Sequence, residues 1–206
     1  MSDKSEMIKL LVFDFDGTIA DSKKLYISSI YHSARKYGYH LSNAFIEKNL
    51  GPKLDASLFN MKIKRNAEKI AAEVNSFVTK KAKTLKLCPY VIETLKKIRK
   101  KRIKTVLITN STRPFIRAFM KKYPIRKYFN TILGAEDFLF KEEAFRKLFR
   151  QYHVKPKEAV YIADKVKDAK IAKSLNTHIL IVLACSWDKK KFKNEPYLVK
   201  DFRSII

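Results

Sequence analysis

Short, nearly continuous apolar runs recur along the chain, each four to six residues long. A strand buried on both faces of a parallel sheet has this pattern, whereas a half-exposed strand alternates apolar and polar residues. The runs therefore predict five buried strands. They lie at residues 8–13, 105–108, 128–133, 159–163 and 179–183.

Amphipathic helices are predicted between these strands. Residues Val91, Leu95 and Ile98 repeat at helical spacing, and lysines fill the other faces of that helix. Similar patterns lie at residues 115–120, 145–149 and 166–175. Alternating strands and helices predict an α/β fold, in which a parallel sheet is covered by helices on both faces.

Residues 22–87 interrupt this alternation, because they contain several helical patterns and no strand-like run. The patterns predict helices over about residues 23–37, from about residue 42, and over about residues 63–83, with Gly38 ending the first. We therefore expect an all-helical cap domain, residues 22–87, inserted into an α/β core domain. The core domain is predicted to comprise residues 1–21 and 88–206.

The charge of the chain is high, since 45 Lys and Arg residues face 20 Asp and Glu residues for a formal net charge of +25. Such a balance is typical of proteins that neutralise nucleic-acid phosphates. The charge is, however, spread over both predicted domains, and 35 of the 45 basic residues are lysine. Arginine would be favoured for bidentate phosphate recognition. We expect a Lys-rich solvated surface, with nucleic-acid binding left open.

The composition also bears on the compartment. The two cysteines, Cys88 and Cys185, are too few for a disulfide framework and too far apart for a zinc motif. The sequence contains no signal-peptide pattern, and its longest apolar run is far below the roughly 20 residues of a membrane helix. These features predict a cytoplasmic protein without a membrane partner.

Two carboxylates, Asp14 and Asp16, follow the first predicted strand directly. Ligands of open α/β sheets bind beyond the carboxyl ends of the strands. Two carboxylates this close are both ionised only if a cation lies between them; otherwise one of them is protonated. One carboxylate can therefore act as a nucleophile and metal ligand, and the other can exchange a proton. A calcium loop is excluded, because Ile19 and Leu25 occupy the positions that need Gly and Glu.

Residues 14–18, Asp-Phe-Asp-Gly-Thr, resemble the first motif of the haloacid dehalogenase-like hydrolases, most of which are magnesium-dependent phosphatases. Residues 19–22 resemble the phosphoglycolate-phosphatase-like branch, and residues 22–87 stand where that branch has a small helical cap. The resemblance covers essentially the whole chain. It implies a Rossmann-like core.

The other motifs of the family have counterparts in chain order. Thr109 and Asn110 follow the second predicted strand and resemble the second motif. Lys141 is the candidate for the third motif, although the usual proline is absent. Asp164 and Asp168 resemble the fourth motif, with Ala163 in place of the common glycine. Lys165 and Lys167, between these two acids, are expected to point to solvent.

The resemblance implies roles for these residues. Asp14 would be the nucleophile that forms an aspartyl-phosphate, and Asp16 the general acid and base. Thr109, Asn110 and Lys141 would bind the phosphate. Magnesium would be held by Asp14, the backbone carbonyl of Asp16, Asp164 and Asp168. The substrate would be a small phosphorylated metabolite.

Several alternatives stay open at this point. Phosphomutases share Asp14 and Asp16, and a pyrophosphatase of the same family is a further alternative. Phosphonate-cleaving members replace the second acid and use a cap lysine to form an imine; Lys53 lies near that position, but the retained Asp16 favours ester hydrolysis. The charge keeps open a nucleic-acid-associated protein, either a polynucleotide-end phosphatase or a basic binding protein with a vestigial site. The oligomeric state is not predicted.

Overall fold

A computed structural model of the chain describes residues 7–193 and 195–205. Its centre is a six-stranded sheet with the order β3-β2-β1-β4-β5-β6, in which every neighbouring pair is parallel. The strands are β1 (Leu10–Phe13), β2 (Lys104–Ile108), β3 (Thr131–Leu133), β4 (Ala159–Ala163), β5 (His178–Val182) and β6 (Leu198–Val199).

Eight α-helices accompany the sheet within the described residues. They are α1 (Lys23–Lys36), α2 (Asn43–Asn49), α3 (Leu54–Asn60), α4 (Ala67–Lys81), α5 (Val91–Lys100), α6 (Arg113–Lys122), α7 (Lys141–Tyr152) and α8 (Val166–Ser174). Short 3-10 helices lie at Ala82–Thr84, Arg126–Tyr128, Ala135–Asp137, Pro156–Glu158, Lys189–Lys191 and Phe202–Ile205.

The central position of β1 in the sheet explains why its sequence is apolar throughout. Successive side chains of a strand point to opposite faces. Leu11 and Phe13 belong to one hydrophobic cluster, while Leu10 and Val12 belong to another. Residues of α5 and α6 complete the first cluster, and residues of α7 and α8 complete the second. The predicted α/β class, a parallel Rossmann-like sheet with helices on both faces, is confirmed.

The segment 22–87 folds into the four helices α1–α4 and a 3-10 turn. Helix α4 begins at Ala67 rather than near residue 63, after Asn66 in a left-handed conformation (φ 56°). The seven-residue helix α3 was not predicted, because so short a helix shows little periodicity. Ile30 and Val74 of this segment share a hydrophobic cluster with Phe15 and Phe119. The division into cap and core domains stays a prediction.

Cys88 and Cys185 form a disulfide, with their Cα atoms 5.9 Å apart. The bridge joins the chain entering α5 to the loop after β5. The cysteine count gave no indication of this pairing, and disulfides are rarer in a reducing compartment than outside one. The cytoplasmic location therefore stays a prediction. None of the helices described is long and apolar enough to cross a bilayer.

Candidate active site

Three buried carboxylates meet at the carboxyl edge of the sheet. Asp14 follows β1, and Asp164 follows the adjacent β4; Asp168 lies in the first turn of α8. One oxygen from each of the three lies within 4.8 Å of the others. We call Asp14, Asp164 and Asp168 the acidic cluster. Burial raises the pKa of Asp14 and of Asp164, because water no longer stabilises their charged forms.

The loop after β5 fixes the orientation of Asp164. The backbone N–H of Trp187 donates to Asp164 Oδ2 at 2.8 Å, and Ser186 Oγ donates to the Asp164 carbonyl at 2.5 Å. Gly17 makes room for this arrangement: it has φ +82°, and a Cβ at this position would overlap Asp164 Oδ2 and lie 2.6 Å from Trp187 Cδ1. The sequence motif therefore needs glycine for both conformation and space.

Lys141, the first residue of α7, places its ammonium group on the acidic cluster. Its Nζ donates to Asp14 Oδ1 at 2.9 Å and to Asp168 Oδ1 at 3.3 Å. It also donates to the Tyr161 hydroxyl at 2.7 Å, which in turn donates to Asp168 Oδ1 at 2.8 Å. Burial alone would lower the pKa of Lys141, but the two carboxylates raise it, so the ammonium stays charged. The missing proline has not moved this lysine away from the acids.

Asp16 has separate partners from the acidic cluster. Ser22 Oγ donates to Asp16 Oδ1 at 2.6 Å, and Ser111 Oγ donates to Oδ2, also at 2.6 Å. Thr109 Oγ1 adds a longer bond to Oδ2 at 3.3 Å. The Tyr26 hydroxyl lies 2.7 Å from Ser111 Oγ; since the Ser111 proton goes to Asp16, Tyr26 is the donor. Burial, then the charge of Asp16, raises the pKa of Tyr26 and keeps that proton in place.

Thr109 and Asn110, the two residues of the second motif, form hydrogen bonds with different partners. Thr109 is fully buried and bonds Asp16, as described, and its Oγ1 accepts from Ser111 N–H at 3.0 Å. Asn110 instead reaches the cap segment, where its Nδ2 donates to the Gly51 carbonyl at 2.9 Å. Both residues line the cavity beside Asp14.

The position of Lys165 differs from the prediction made from the sequence. It does not point to solvent but lines the cavity with Asp14 and Lys141, and its Nζ lies 3.9 Å from the centre of the Trp187 ring. Burial would lower its pKa, but Asp164, Asp14 and the neighbouring acids raise it. Lys167 is exposed, as expected. Sequence spacing could not distinguish these two lysines, because the position of Trp187 over the site depends on the tertiary fold.

A cavity of about 280 Å³ lies between these residues and the cap segment. Lys53 closes one side: its Nζ donates to the carbonyls of Ala135, at 2.7 Å, and Phe138. The cap segment also lines the cavity with polar side chains, which are Tyr26, Asp55, Ser57 and Asn75. A space of this size suits a small metabolite.

The donor set of the acidic cluster fits a divalent cation. Asp164 Oδ1 and Asp168 Oδ2 are buried and have no hydrogen-bond partner among the described residues. When the three carboxylates of the acidic cluster are ionised, the ammonium groups of Lys141 and Lys165 leave one negative charge unbalanced, which a cation offsets. Carboxylate oxygens are the ligands that magnesium prefers.

Comparisons with known proteins agree on one family. The family model described as "Haloacid dehalogenase-like hydrolase" matches residues 11–182. The pyrophosphatase PpaX of Oceanobacillus iheyensis is 23% identical over 97% of this chain and 95% of its own length. The phosphoglycolate phosphatase of Synechococcus elongatus is 22% identical over 87% of this chain and 84% of its own.

A solved structure shows the same fold. The CbbY protein of Rhodobacter sphaeroides, crystallised in complex with xylulose-(1,5)bisphosphate, superposes with a TM-score of 0.82. The superposition covers 95% of each chain at 17% sequence identity.

Proposed function

The chain belongs to the haloacid dehalogenase-like hydrolases, and from this premise we propose that it is a magnesium-dependent phosphatase acting on a small phosphomonoester. The observation that carries the proposal is the buried acidic cluster with two orphaned carboxylate oxygens, next to a cavity of about 280 Å³. The names of the relatives, a pyrophosphatase and a phosphoglycolate phosphatase, support the same class of reaction.

Asp14 is the proposed nucleophile. One carboxylate oxygen attacks the phosphorus, the bond from phosphorus to the ester oxygen breaks, and an aspartyl-phosphate forms. Water then attacks the phosphorus, and the bond to Asp14 breaks to release phosphate. Covalent catalysis divides one difficult displacement into two easier ones. The contact with Lys141 supports this role, because the ammonium lowers the pKa of Asp14 and so partly offsets the larger, raising effect of burial.

Asp16 is the proposed general acid and base. It enters the first step protonated and gives that proton to the leaving ester oxygen; in the second step the resulting carboxylate takes a proton from the attacking water, which restores the starting state. Its three hydroxyl donors hold the carboxylate at the cavity wall, which supports this role. Proton transfer by a positioned group is typically worth about 10²–10⁴-fold in rate.

The remaining residues form the proposed phosphate and metal sites. Asp14, Asp164, Asp168 and the backbone carbonyl of Asp16 would hold magnesium, and Thr109, Asn110 and Lys141 would surround the phosphoryl group. When bound, the ion neutralises phosphoryl oxygens and offsets their repulsion from the carboxylates. Lys53 Nζ donates to two backbone carbonyls of the core. This favours a role in holding the cap segment closed, rather than a role in forming an imine.

Hydrolysis of p-nitrophenyl phosphate with and without Mg²⁺ tests the proposal. We expect Asp14→Asn to abolish the activity. Asp201→Asn is the control, because Asp201 is also a buried carboxylate but pairs with Arg203 and does not line the active-site cavity. Wild-type protein without activity in Mg²⁺, Mn²⁺ or Co²⁺ would contradict the proposal.

Asp16→Asn gives a sharper test of the covalent intermediate. Without the base, a phosphorylated Asp14 should accumulate, and it should be most visible with p-nitrophenyl phosphate, whose leaving group needs no proton. Mass spectrometry of the intact protein, followed by peptide mapping, would detect it. Turnover of Asp16→Asn at the wild-type rate would exclude the proposed role of Asp16.

The substrate is proposed only by class, as a small phosphorylated metabolite. A relative spanning nearly the whole chain is a pyrophosphatase, so inorganic pyrophosphate is the second candidate substrate. A panel that includes pyrophosphate, phosphoglycolate and sugar phosphates distinguishes these cases by kcat/KM. Isomerisation of a sugar phosphate without release of phosphate would indicate a phosphomutase instead.

A further inference from the structure

A second concave site lies at the opposite edge of the sheet from the acidic cluster. It is a groove of about 410 Å³ at the amino ends of β2 and β3. Four cationic side chains line it, together with three residues that bear neutral polar groups and two apolar residues. We call this site the basic groove, and its residues are Arg99, Arg102, Ile103, Lys104, Thr105, Lys127, Tyr128, Phe129 and Asn130.

The basic groove unites two segments of unusual charge. Residues 96–104 contain seven basic residues, and residues 121–127 contain four; neither segment contains an acid. Together they hold 11 of the 45 basic residues of the chain. The net charge of a whole predicted domain is an average, so it does not show that basic residues are concentrated in these two segments. The fold brings the two segments together, because α5 and the 3-10 turn Arg126–Tyr128 flank the same end of the sheet.

The four cations of the basic groove lack acidic partners. Among residues 7–193 and 195–205, none of them forms an ion pair, whereas Lys9 at the start of the neighbouring β1 pairs with Glu158 at 2.5 Å. Like charges on one concave surface repel one another and raise the local potential. Such a surface favours a ligand that carries several negative charges.

The floor of the basic groove is fixed by the sheet. Asn130 Oδ1 accepts from Thr105 N–H at 2.9 Å, and Thr105 Oγ1 donates to the Tyr128 carbonyl. The Tyr128 ring is flanked by Arg99, 5.9 Å from its centre, and by Lys127, at 5.5 Å. Two of the four cations, Arg99 and Lys127, therefore lie beside the half-buried ring before any ligand binds.

We propose that the basic groove binds the phosphodiester backbone of a single-stranded nucleic acid. Its lining comes from the end of α5, the start of β2 and the 3-10 turn with the loop after it, and not from the face of a helix or a β-ribbon, which are the elements that enter the major groove of a duplex. Cations that follow a backbone beside an aromatic ring are the usual combination for single strands. The proposal is independent of the proposed phosphatase activity, because no residue of the basic groove lines the active-site cavity.

Fluorescence anisotropy with labelled single-stranded RNA and DNA of about 16 nucleotides tests the proposal. The groove variant is R99Q/R102Q/K104Q/K127Q. The matched control is R146Q/K147Q/R150Q/K173Q, which removes the same charge from exposed positions of α7 and α8. At about 50 mM salt we expect the groove variant to bind at least about tenfold more weakly than wild type. The slope of log K against log salt should become shallower by about 3, at about 0.7 per lost contact.

The control should bind within about threefold of wild type, and both variants should hydrolyse p-nitrophenyl phosphate normally. Equal weakening in the two variants would overturn the proposal, since net charge alone would then explain binding. So would wild-type protein that binds neither RNA nor DNA at about 50 mM salt. Tighter binding to duplex DNA, or to vesicles of anionic lipid, would refute the assigned partner.

Photocrosslinking of wild-type protein requires no variant. RNA containing 4-thiouridine should crosslink to peptides covering residues 96–104 and 126–130. Crosslinks confined to the cap segment or to the active-site cavity would overturn the proposal.

Discussion

Substitution of Lys141 by methionine tests the electrostatic balance of the active site. Lys141 Nζ lies 2.9 Å from Asp14 Oδ1 and 3.3 Å from Asp168 Oδ1, and its side chain is only 7% exposed. At an effective dielectric constant of about 20, each contact corresponds to about 5–6 kcal/mol of attraction. Desolvation of the ammonium offsets much of this gain, so the net effect is smaller than the sum.

Methionine leaves the two carboxylates buried without their cation. Breaking a buried pair in this way typically costs about 3–5 kcal/mol, and about 1 kcal/mol shifts Tm by about 2–4 °C in a chain of this size. We therefore expect Lys141→Met to melt about 6–20 °C below wild type in EDTA. The loss should be smaller at low pH, because protonated carboxylates no longer repel each other.

Calorimetric or circular-dichroism melts at several pH values measure this effect. Lys147→Met is the control, because Lys147 is exposed on the same helix. A double-mutant cycle with Asp14→Asn isolates the pair: Lys141→Met should cost less when Asn replaces Asp14. If Lys141→Met and Lys147→Met melt within about 2 °C of each other, the ammonium does not stabilise the cluster as argued.

Four further predictions follow from the same contacts. The raised pKa values of Asp14 and Asp164 mean that the folded chain without metal retains protons which the unfolded chain loses above about pH 4. Stability in EDTA should therefore fall as pH rises, and Mg²⁺ should raise Tm more at about pH 8 than at about pH 5. Lys165→Met should tighten Mg²⁺ binding about tenfold in calorimetric titration, since it removes a positive charge beside the carboxylates; weaker binding would contradict this. Lys53→Met should raise KM about tenfold, because the cap segment loses a charged bond to the core; an unchanged KM would exclude this role. Reduction of the Cys88–Cys185 bridge, which spans 97 residues, should lower the free energy of unfolding by about 4–5 kcal/mol, and the paired Cys→Ser variant should not respond to reductant.

The sequence predicted the parts of the molecule that follow from local pattern. The buried strands are mostly apolar up to their carboxyl ends, so a polar side chain directly after the apolar run marks the end of β1, β2 and β4. This located Asp14, Thr109 and Asp164 at one sheet edge. The hydroxyl network around Asp16 was not predicted. Ser22 and Ser111 are 89 residues apart in the sequence, and no local pattern indicates that two serines converge on one carboxylate.

Charge was the property that the sequence described least well. A net charge of +25 does not reveal that the carboxyl edge of the sheet carries four acids and two lysines, while the amino edge carries cations without partners. At physiological salt, exposed charges are screened within about 8 Å, so each edge acts on ligands mainly through its own groups. The buried site is screened less, so the ionised carboxylates of the acidic cluster would repel a phosphate ester there despite the basic surface. We therefore expect that a phosphate ester binds only when a cation occupies the acidic cluster, because the positive total of the chain does not act at this buried site.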